Sequence, residues 1–529
     1  MRRLPLMLLL GLFLAVKCPS ASAQVLIGTV RSVNEVIDTT KYVATLAGRD
    51  DIAQQIEPFL DTLTGGKGLA GLDRKAPFGF YVDALPLPGQ NPPAVIFVPI
   101  TREDDFVELL RALNSQVEKP DPQGIRTVTL ATGQTAYLSF AHGHAFLSLE
   151  RNLLTRRLPH PKQLVPQPHS SWLYLSLRAR EIPPAARKGV VALLQLALAK
   201  PLERKPDESE ASFQVRRLVT ELARNQMLQL VQDLEELTIT ADLDRPNHQL
   251  NLAVEIVVRP DSASESALRS LVQSPSRFRA LPDRTGSSLV LALPIRGPLQ
   301  DARNELIASL EKSIAEKPGD QQKLLRQLYE AILPTLRADT LDLAVLLHGP
   351  AKDGKLTPLV AIRLQEGSKL ESTLRDLYQV LPEEAKSRIR LDAHKLDGYA
   401  IHEVQITPDD QNFALIFGEE KLAFTLTNDC FLFSAGTHAS NLLKEASGKT
   451  VREQPGPALN LELSIRQLAL LGTNNDDGKR FLQAVQRTFV GQDEHRDRIR
   501  ITQQGQANRV SVRLELPVLL FRVLILANQ

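Results

Sequence analysis

The sequence predicts an α+β fold made of two duplicated units, each an antiparallel sheet with helices packed on it. Three observations carry that expectation. Stretches such as "WLYLSLRA" and "PALNLELSI" alternate apolar and polar residues, the period of strands with one buried face. Amphipathic helical patterns interleave with hairpins, and few strand pairs are separated by a single crossover helix, which favours antiparallel sheets. Similar segments also recur in the same order in the two halves of the chain.

The recurrences set the expected organisation. Residues 1–23 read as a signal peptide, 24–260 as the first unit, 261–285 as a linker with a short helix, 286–516 as the second unit and 517–529 as an apolar tail. Each unit should run strand, two helices, hairpin, helix, further antiparallel hairpins, a short helix, an alternating strand, helical material and a final strand pair. "TREDDFVELLRAL" spaces Phe106, Leu110 and Leu113 at i, i+4 and i+7, and "EGSKLESTLRDL" repeats that spacing with Leu370, Leu374 and Leu377. Capping-box patterns, Thr101 to Asp104 and Ser368 to Glu371, mark the start of both helices. "NLL" follows at Asn152 and Asn441, then "LYLSLR" from Leu173 and "LELSIR" from Leu461. The units close with "LTIT" at Leu237 against "IRIT" at Ile499 and "LAVEI" at Leu252 against "VRLEL" at Val512. The first unit carries a helical insertion around 183–234. Within it Phe213, Leu218, Leu222 and Leu230 suit packing, and "GVVALLQLALA" at 189–199 reads as a buried helix face.

The chain opens with Arg2 and Arg3, an apolar run from Leu4 to Val16 and the small residues Ala21-Ser22-Ala23. That order is a secretory signal peptide cut after Ala23, and its apolar run is shorter than the roughly 20 residues a membrane span needs. Lys17 before Cys18 argues against lipid attachment. Cleavage takes Arg2, Arg3 and Lys17 from the 63 basic residues, leaving 60 against 61 acidic ones. So balanced a charge speaks against a nucleic-acid partner. Cys430 is the one cysteine after residue 23, so no intramolecular disulfide forms and stability must come from apolar cores.

Each candidate motif meets a simpler explanation. Gly65, Gly66, Gly68 and Gly71 follow a helical stretch, whereas phosphate loops leave a strand and enter a helix, so this run reads as a flexible helix-to-strand connection. His142 and His144 in "AHGHAF" have metal-ligand character, but alignment with "TNDCFLF" places His142-Gly143 opposite Asn428-Asp429 at a hairpin turn, and no further ligand is in view. Cys430 reads as a small buried hydrophobe. His402 and Glu403 in "YAIHEVQI" fall on opposite faces of a strand and lack the second histidine of a zinc-protease helix. Ser309 and Lys312 match S-x-x-K spacing without its companion motifs, and the Leu306 and Leu310 stripe accounts for that helix. "TNNDDGKR", Thr473 to Arg480, reads as a solvated turn. Arg178 and Arg466 hold the same place in both units and suit a structural partner inside the fold. Val518 to Leu526, broken by Arg522, reads as a last strand or helix docked on the body.

With its signal peptide, duplicated layout and Leu/Ala/Arg-rich "LYLSLR" and "LELSIR" strands, the chain resembles uncharacterised secreted proteins of planctomycete-type bacteria over most of its length. The resemblance implies an exported bacterial protein and carries over no activity and no functional residues. The expected function is that of an exported, non-enzymatic binding or scaffolding protein, periplasmic or extracellular, with no catalytic, cofactor-binding or metal residues and no cofactor. It should have no nucleic-acid partner and no transmembrane anchor after signal cleavage, and its partner would be an envelope protein or an apolar ligand. The alternatives are a carrier holding a lipid or other apolar ligand between sheet and helices, and a hydrolase with its site in a cleft between the units.

Overall fold

In the computed structural model, the described residues are 24–528 except 85–92, 165–170, 200–201, 205–207, 209, 273, 282–285, 296–297, 397–398, 408–411, 449–452, 473–474 and 494–495. The segment 1–23, expected to be a signal peptide, therefore lies outside the described residues. The structure is 41% helix and 31% strand, and the strand pairings within each unit are antiparallel, which makes the class α+β.

The first unit comprises residues 24–200, 228–262 and 518–525. It opens with β1 (Leu26–Val30), α1 (Val33–Leu46) and α2 (Asp50–Leu63). Next come β2 (Phe78–Val82), β3 (Ala94–Pro99), α3 (Glu103–Ala112), β4 (Gln116–Val117) and β5 (Arg126–Thr129). A hairpin of β6 (Thr135–Ala141) and β7 (His144–Ser148) precedes the short helices α4 (Arg151–Leu154) and α5 (Pro161–Leu164). Then follow β8 (Leu173–Leu177), a 3-10 turn (Ala179–Glu181), α6 (Pro184–Leu198) and α7 (Glu210–Asp233), whose last turns belong to this unit. β9 (Leu234–Asp244) and β10 (Gln249–Val258) complete the sheet. Its strand order is β4-β5-β6-β7-β3-β2-β1-β8-β9-β10.

The second unit comprises 201–227, 263–517 and 526–528. Its elements are α8 (Ala263–Val272), β11 (Gly286–Pro294), α9 (Pro298–Ala315), α10 (Gly319–Leu336), β12 (Thr340–His348) and β13 (Thr357–Arg363). α11 (Gly367–Val380), α12 (Glu383–Ser387), β14 (Ile389–Leu396), β15 (Tyr399–Gln405) and α13 (Asn412–Phe417) follow. The hairpin β16 (Lys421–Thr427) and β17 (Cys430–Ala435) leads to α14 (Ala439–Ser447), β18 (Leu459–Ser464), α15 (Ile465–Leu471) and α16 (Asp476–Phe489). β19 (Arg498–Gln506) and β20 (Arg509–Pro517) close its sheet, and α17 (Leu520–Ala527) ends the chain. The strand order, β14-β15-β16-β17-β13-β12-β11-β18-β19-β20, is that of the first unit with each number raised by ten.

Strict alternation explains where the cores lie. In the first unit Ile27, Tyr81, Val95, Phe97 and Phe146 share one sheet face and are covered by Leu153, Leu154 and Leu164. α3 covers the other end with Phe106 and Leu110 against Val128 and Leu138. In the second unit Val290, Ala344, Leu359, Ala361 and Leu432 lie under Ala439, Leu443 and Ala446 of α14.

The structure revises several local expectations. Neither capping box forms: Arg102 and Glu366 are the N-caps of α3 and α11 without side-chain caps, and Ser368 lies inside its helix, donating to Asn428 at 3.0 Å. The expected linker is partly core, since Phe278 is fully buried and Leu281 nearly so. Two hydrogen bonds fix this segment, Ser276 Oγ to Asp342 at 2.7 Å and the Arg277 amide to Asp342 at 2.8 Å. The apolar stretch at 189–199 is less buried than expected: in α6 only Ala186 and Val191 are buried, while Leu196 is 74% exposed. In α9 the buried positions are Ala302 and Ile307, with Leu306 and Leu310 half-buried. Strand pairing sets Ile239 opposite Leu175 and Ile499 opposite Leu463, so Ile239, not Leu237, is the topological counterpart of Ile499.

Candidate functional site

The second unit contains a cavity of about 610 Å³ where the ends of β11 and β12 meet α15, α16 and the start of β19. Local sequence builds its floor. Ser464 ends β18 and caps α15, its hydroxyl accepting from the Gln467 amide at 3.2 Å. The same hydroxyl donates to the Asp497 carboxylate at 2.6 Å, and the Arg466 amide donates to that carboxylate at 3.0 Å. Asp497 is 1% exposed, so a buried negative charge sits at the start of α15, where the helix dipole favours it. Ser287 donates to Gln467 at 3.2 Å and accepts from the Ser464 amide at the same distance, while Gln467 Nε2 donates to the Gly349 carbonyl.

Arg466 acts at the opposite end of the helical pair. Its guanidinium donates to the carbonyls of Phe489 at 2.9 Å and Gln492 at 3.0 Å, and lies 5.6 Å from the centre of the Phe489 ring. A cation there satisfies carbonyls at the end of α16 and faces the negative end of its dipole. Arg498 is buried and paired with Glu462; burial and the neighbouring Arg500 hold its affinity for a proton below the usual arginine value. Nε of both Arg466 and Arg498 is shielded from solvent and has no hydrogen-bond partner. The lining also includes the apolar side chains of Leu470, Leu482, Val485 and Phe489, with Val490 76% exposed. The hydroxyls of Ser464 and Ser287 donate to carboxylate and amide oxygen, and His348 also lines the cavity.

Of the residues singled out in the sequence, Arg466 lines this cavity and the following fall elsewhere. Gly65, Gly66, Gly68 and Gly71 all adopt positive φ on leaving α2. A Cβ on Gly71 would meet the Phe106 amide nitrogen at 2.6 Å. His142 and Gly143 form a two-residue turn with positive φ, 52° and 71°; Asn428-Asp429 forms the matching turn but is not among the described positive-φ residues. His142 stacks on His160 at 5.0 Å and His144 Nδ1 lies 3.0 Å from the His142 carbonyl. Among the described residues no group of three or more His, Cys, Asp or Glu side chains is placed to hold a metal. Cys430 is 2% exposed, and burial, with Asp429 adding to it, pushes its thiol up to about 12.

His402 and Glu403 do face opposite ways. His402 packs 5.0 Å from Phe424 and its Nδ1 accepts from the Asp392 amide at 3.1 Å, whereas Glu403 accepts from Ser440 of α14 at 2.7 Å. Arg375 bridges Glu371 at 2.8 Å and Asp392 at 2.6 Å beside His402. Burial lowers the His402 pKa, and Arg375 lowers that of Asp392. This is a dense ionic network, and none of its members lines a described cavity. Ser309 and Lys312 lie along α9, with Lys312 exposed. "TNNDDGKR" is a helix start, not a free turn: Asn475 caps α16 by accepting from Gly478 at 2.7 Å, while residues 473–474 lie outside the described residues. Arg178 Nε is buried without a partner, as is that of Arg466. In the tail, Val518, Leu519 and Val523 are buried and Phe521 and Leu524 exposed. In the insertion Phe213 lies under Arg216, and the side chains of Leu218 and Leu222 lie outside the described residues.

No helix among the described residues is long and apolar enough to cross a membrane. No protein-family model, curated protein or solved structure matches the chain.

Proposed function

We propose that this is an exported, non-enzymatic binding protein of the bacterial envelope or exterior, and that the cavity of its second unit takes a small amphiphile. The carrying observation is the cavity itself. Its volume, about 610 Å³, falls within the roughly 300–1,000 Å³ of small-molecule sites. Its lining combines apolar side chains, Leu482, Val485 and Phe489, with polar ones, Arg466, Gln467 and Gln492, which suits an apolar body with a polar head. The site lies at strand ends beside a helical pair, which relocates the carrier reading from the space between sheet and helices. The shared strand order supports an origin by duplication.

The test combines native mass spectrometry with a fluorescent fatty-acid probe on the purified protein. The expected result is one bound amphiphile or a saturable fluorescence rise, reduced at least tenfold by Val490→Trp, which fills the space beside an exposed position without removing a core contact. Equal probe binding by protein and variant would sink the reading. Fractionation and N-terminal sequencing test export, with Gln24 as the expected first residue.

A further inference from the structure

We propose that a second cavity, in the first unit beside the opening turns of α6, binds phosphate, either as the free ion or as a phosphomonoester headgroup. It measures about 420 Å³ and is lined by four cations, Arg180, Arg187, Lys188 and Arg259, against one carboxylate, Glu235. Two of the cations are already paired. Arg259 meets Asp233 at 2.7 Å, and Arg180 meets Glu181 at 3.3 Å and Glu236 at 3.9 Å. Arg187 instead donates its terminal nitrogens to backbone carbonyls, Gln232 at 3.2 Å and Ala179, and its Nε is shielded from solvent with no partner. Among the described residues neither Arg187 nor Lys188 has a carboxylate within ion-pair distance.

The charge placement at the start of α6 differs from that of α2, α3 and α16, although α11 and α14 also lack a first-turn acid. The first turns of α2, α3 and α16 carry acidic residues, Asp50 and Asp51, Glu103 to Asp105, and Asp476 and Asp477, which complement the positive end of a helix. α6 has no acidic residue in its first turn, its N-cap Pro183 offers no side-chain acceptor, and Arg187 and Lys188 come after Pro184, Ala185 and Ala186 as its fourth and fifth residues. Cations near that end repel the dipole and each other, and a bound anion offsets those repulsions by attracting each of them.

Glu235 narrows the chemistry. A carboxylate in an anion site opposes sulfate, which is fully deprotonated at neutral pH. A phosphate or phosphomonoester at that pH keeps a P–OH in part of its population, which donates to a carboxylate while its remaining oxygens accept from arginine and lysine.

The experiment titrates purified protein with inorganic phosphate at low ionic strength by calorimetry, sulfate being the comparator. In parallel, protein is floated with phosphatidylcholine vesicles with and without phosphatidic acid. The variants are Lys188→Glu, at an exposed position where the fold is unaffected, and Arg187→Gln, with circular dichroism reporting folding. Phosphate should bind more tightly than sulfate, and Lys188→Glu should weaken it by about tenfold, the loss of one charge-assisted contact. Binding of free phosphate assigns the ion; flotation confined to phosphatidic acid vesicles assigns the headgroup. Neither interaction, equal affinity for sulfate, or undiminished binding by Lys188→Glu would overturn the proposal.

Discussion

Replacing Phe278 with alanine tests whether residues 274–281 are structural core. A Ser/Pro/Arg-rich connection would tolerate the change, because exposed segments contribute little. Phe278 is fully buried in the cluster that includes Val290, Leu359, Leu432 and Leu443, so its ring loses all of its solvent contact on folding. Transfer of that ring from water contributes ~2–3 kcal/mol. The cavity left behind adds to the loss and brings the cost to ~3–5 kcal/mol. At roughly 2–4 °C per kcal/mol for a unit of this size, the second unit should melt on the order of 10 °C earlier. Differential scanning calorimetry reads that shift, and Phe59→Ala is the control. Phe59 is 63% exposed on α2, and its removal should change stability by no more than ~0.5 kcal/mol. A Phe278→Ala cost below ~1 kcal/mol, or one equal to the Phe59 control, would refute the assignment.

Other outcomes follow from the same structure. Gly71→Ala forces a side chain at φ 92° into the Phe106 backbone and should cost ~3 kcal/mol or more, against ~1 kcal/mol for Gly65→Ala, which has open space; urea titration separates them. Cys430 should resist iodoacetamide at pH 8 in the native protein and react fully in denaturant, as peptide mapping would show; rapid native labelling would contradict its burial. The lowered pKa of His402 means the unfolded chain takes up a proton first, so this group's stabilising effect is complete above about pH 6.5 and declines as pH falls below it. Glu371, Arg375 and Asp392 surround it. His402→Gln should flatten the loss of stability between pH 7 and 5, and parallel profiles for the two proteins would refute the linkage.

The architecture was legible where the pattern is local. Alternation in "LYLSLR" and "LELSI" reports a strand with two unlike faces whatever lies beside it, and the same period separates His402 from Glu403. Helix starts were less legible, because side-chain capping competes with backbone geometry that sequence does not display: Glu366 takes φ 57° and starts α11 ahead of Ser368. Phe278 was hidden by its polar neighbours, its single clue being Leu281 three residues on. The cavity of the second unit was out of reach, since Ser464 and Asp497 meet only after β18 and β19 pair and draw Ile465 against the residue before β19. The basic cavity was partly visible in Arg180, Arg187 and Lys188, but Arg259 joins them through the β9–β10 hairpin.

The position of β1 bears on how the chain reaches this structure. It lies between β2, which follows within about 50 residues, and β8, whose Leu175 opposite Gly28 comes about 150 residues later. During synthesis one edge of β1 therefore stays open until most of its unit has emerged. Closure of so long a loop is slow, and an open apolar edge is the kind of surface on which chains associate wrongly. β11 meets the same delay while waiting for β18. A chaperone that shields these two strands would act on both units through the same step, and all the strands of the first unit are made before β11.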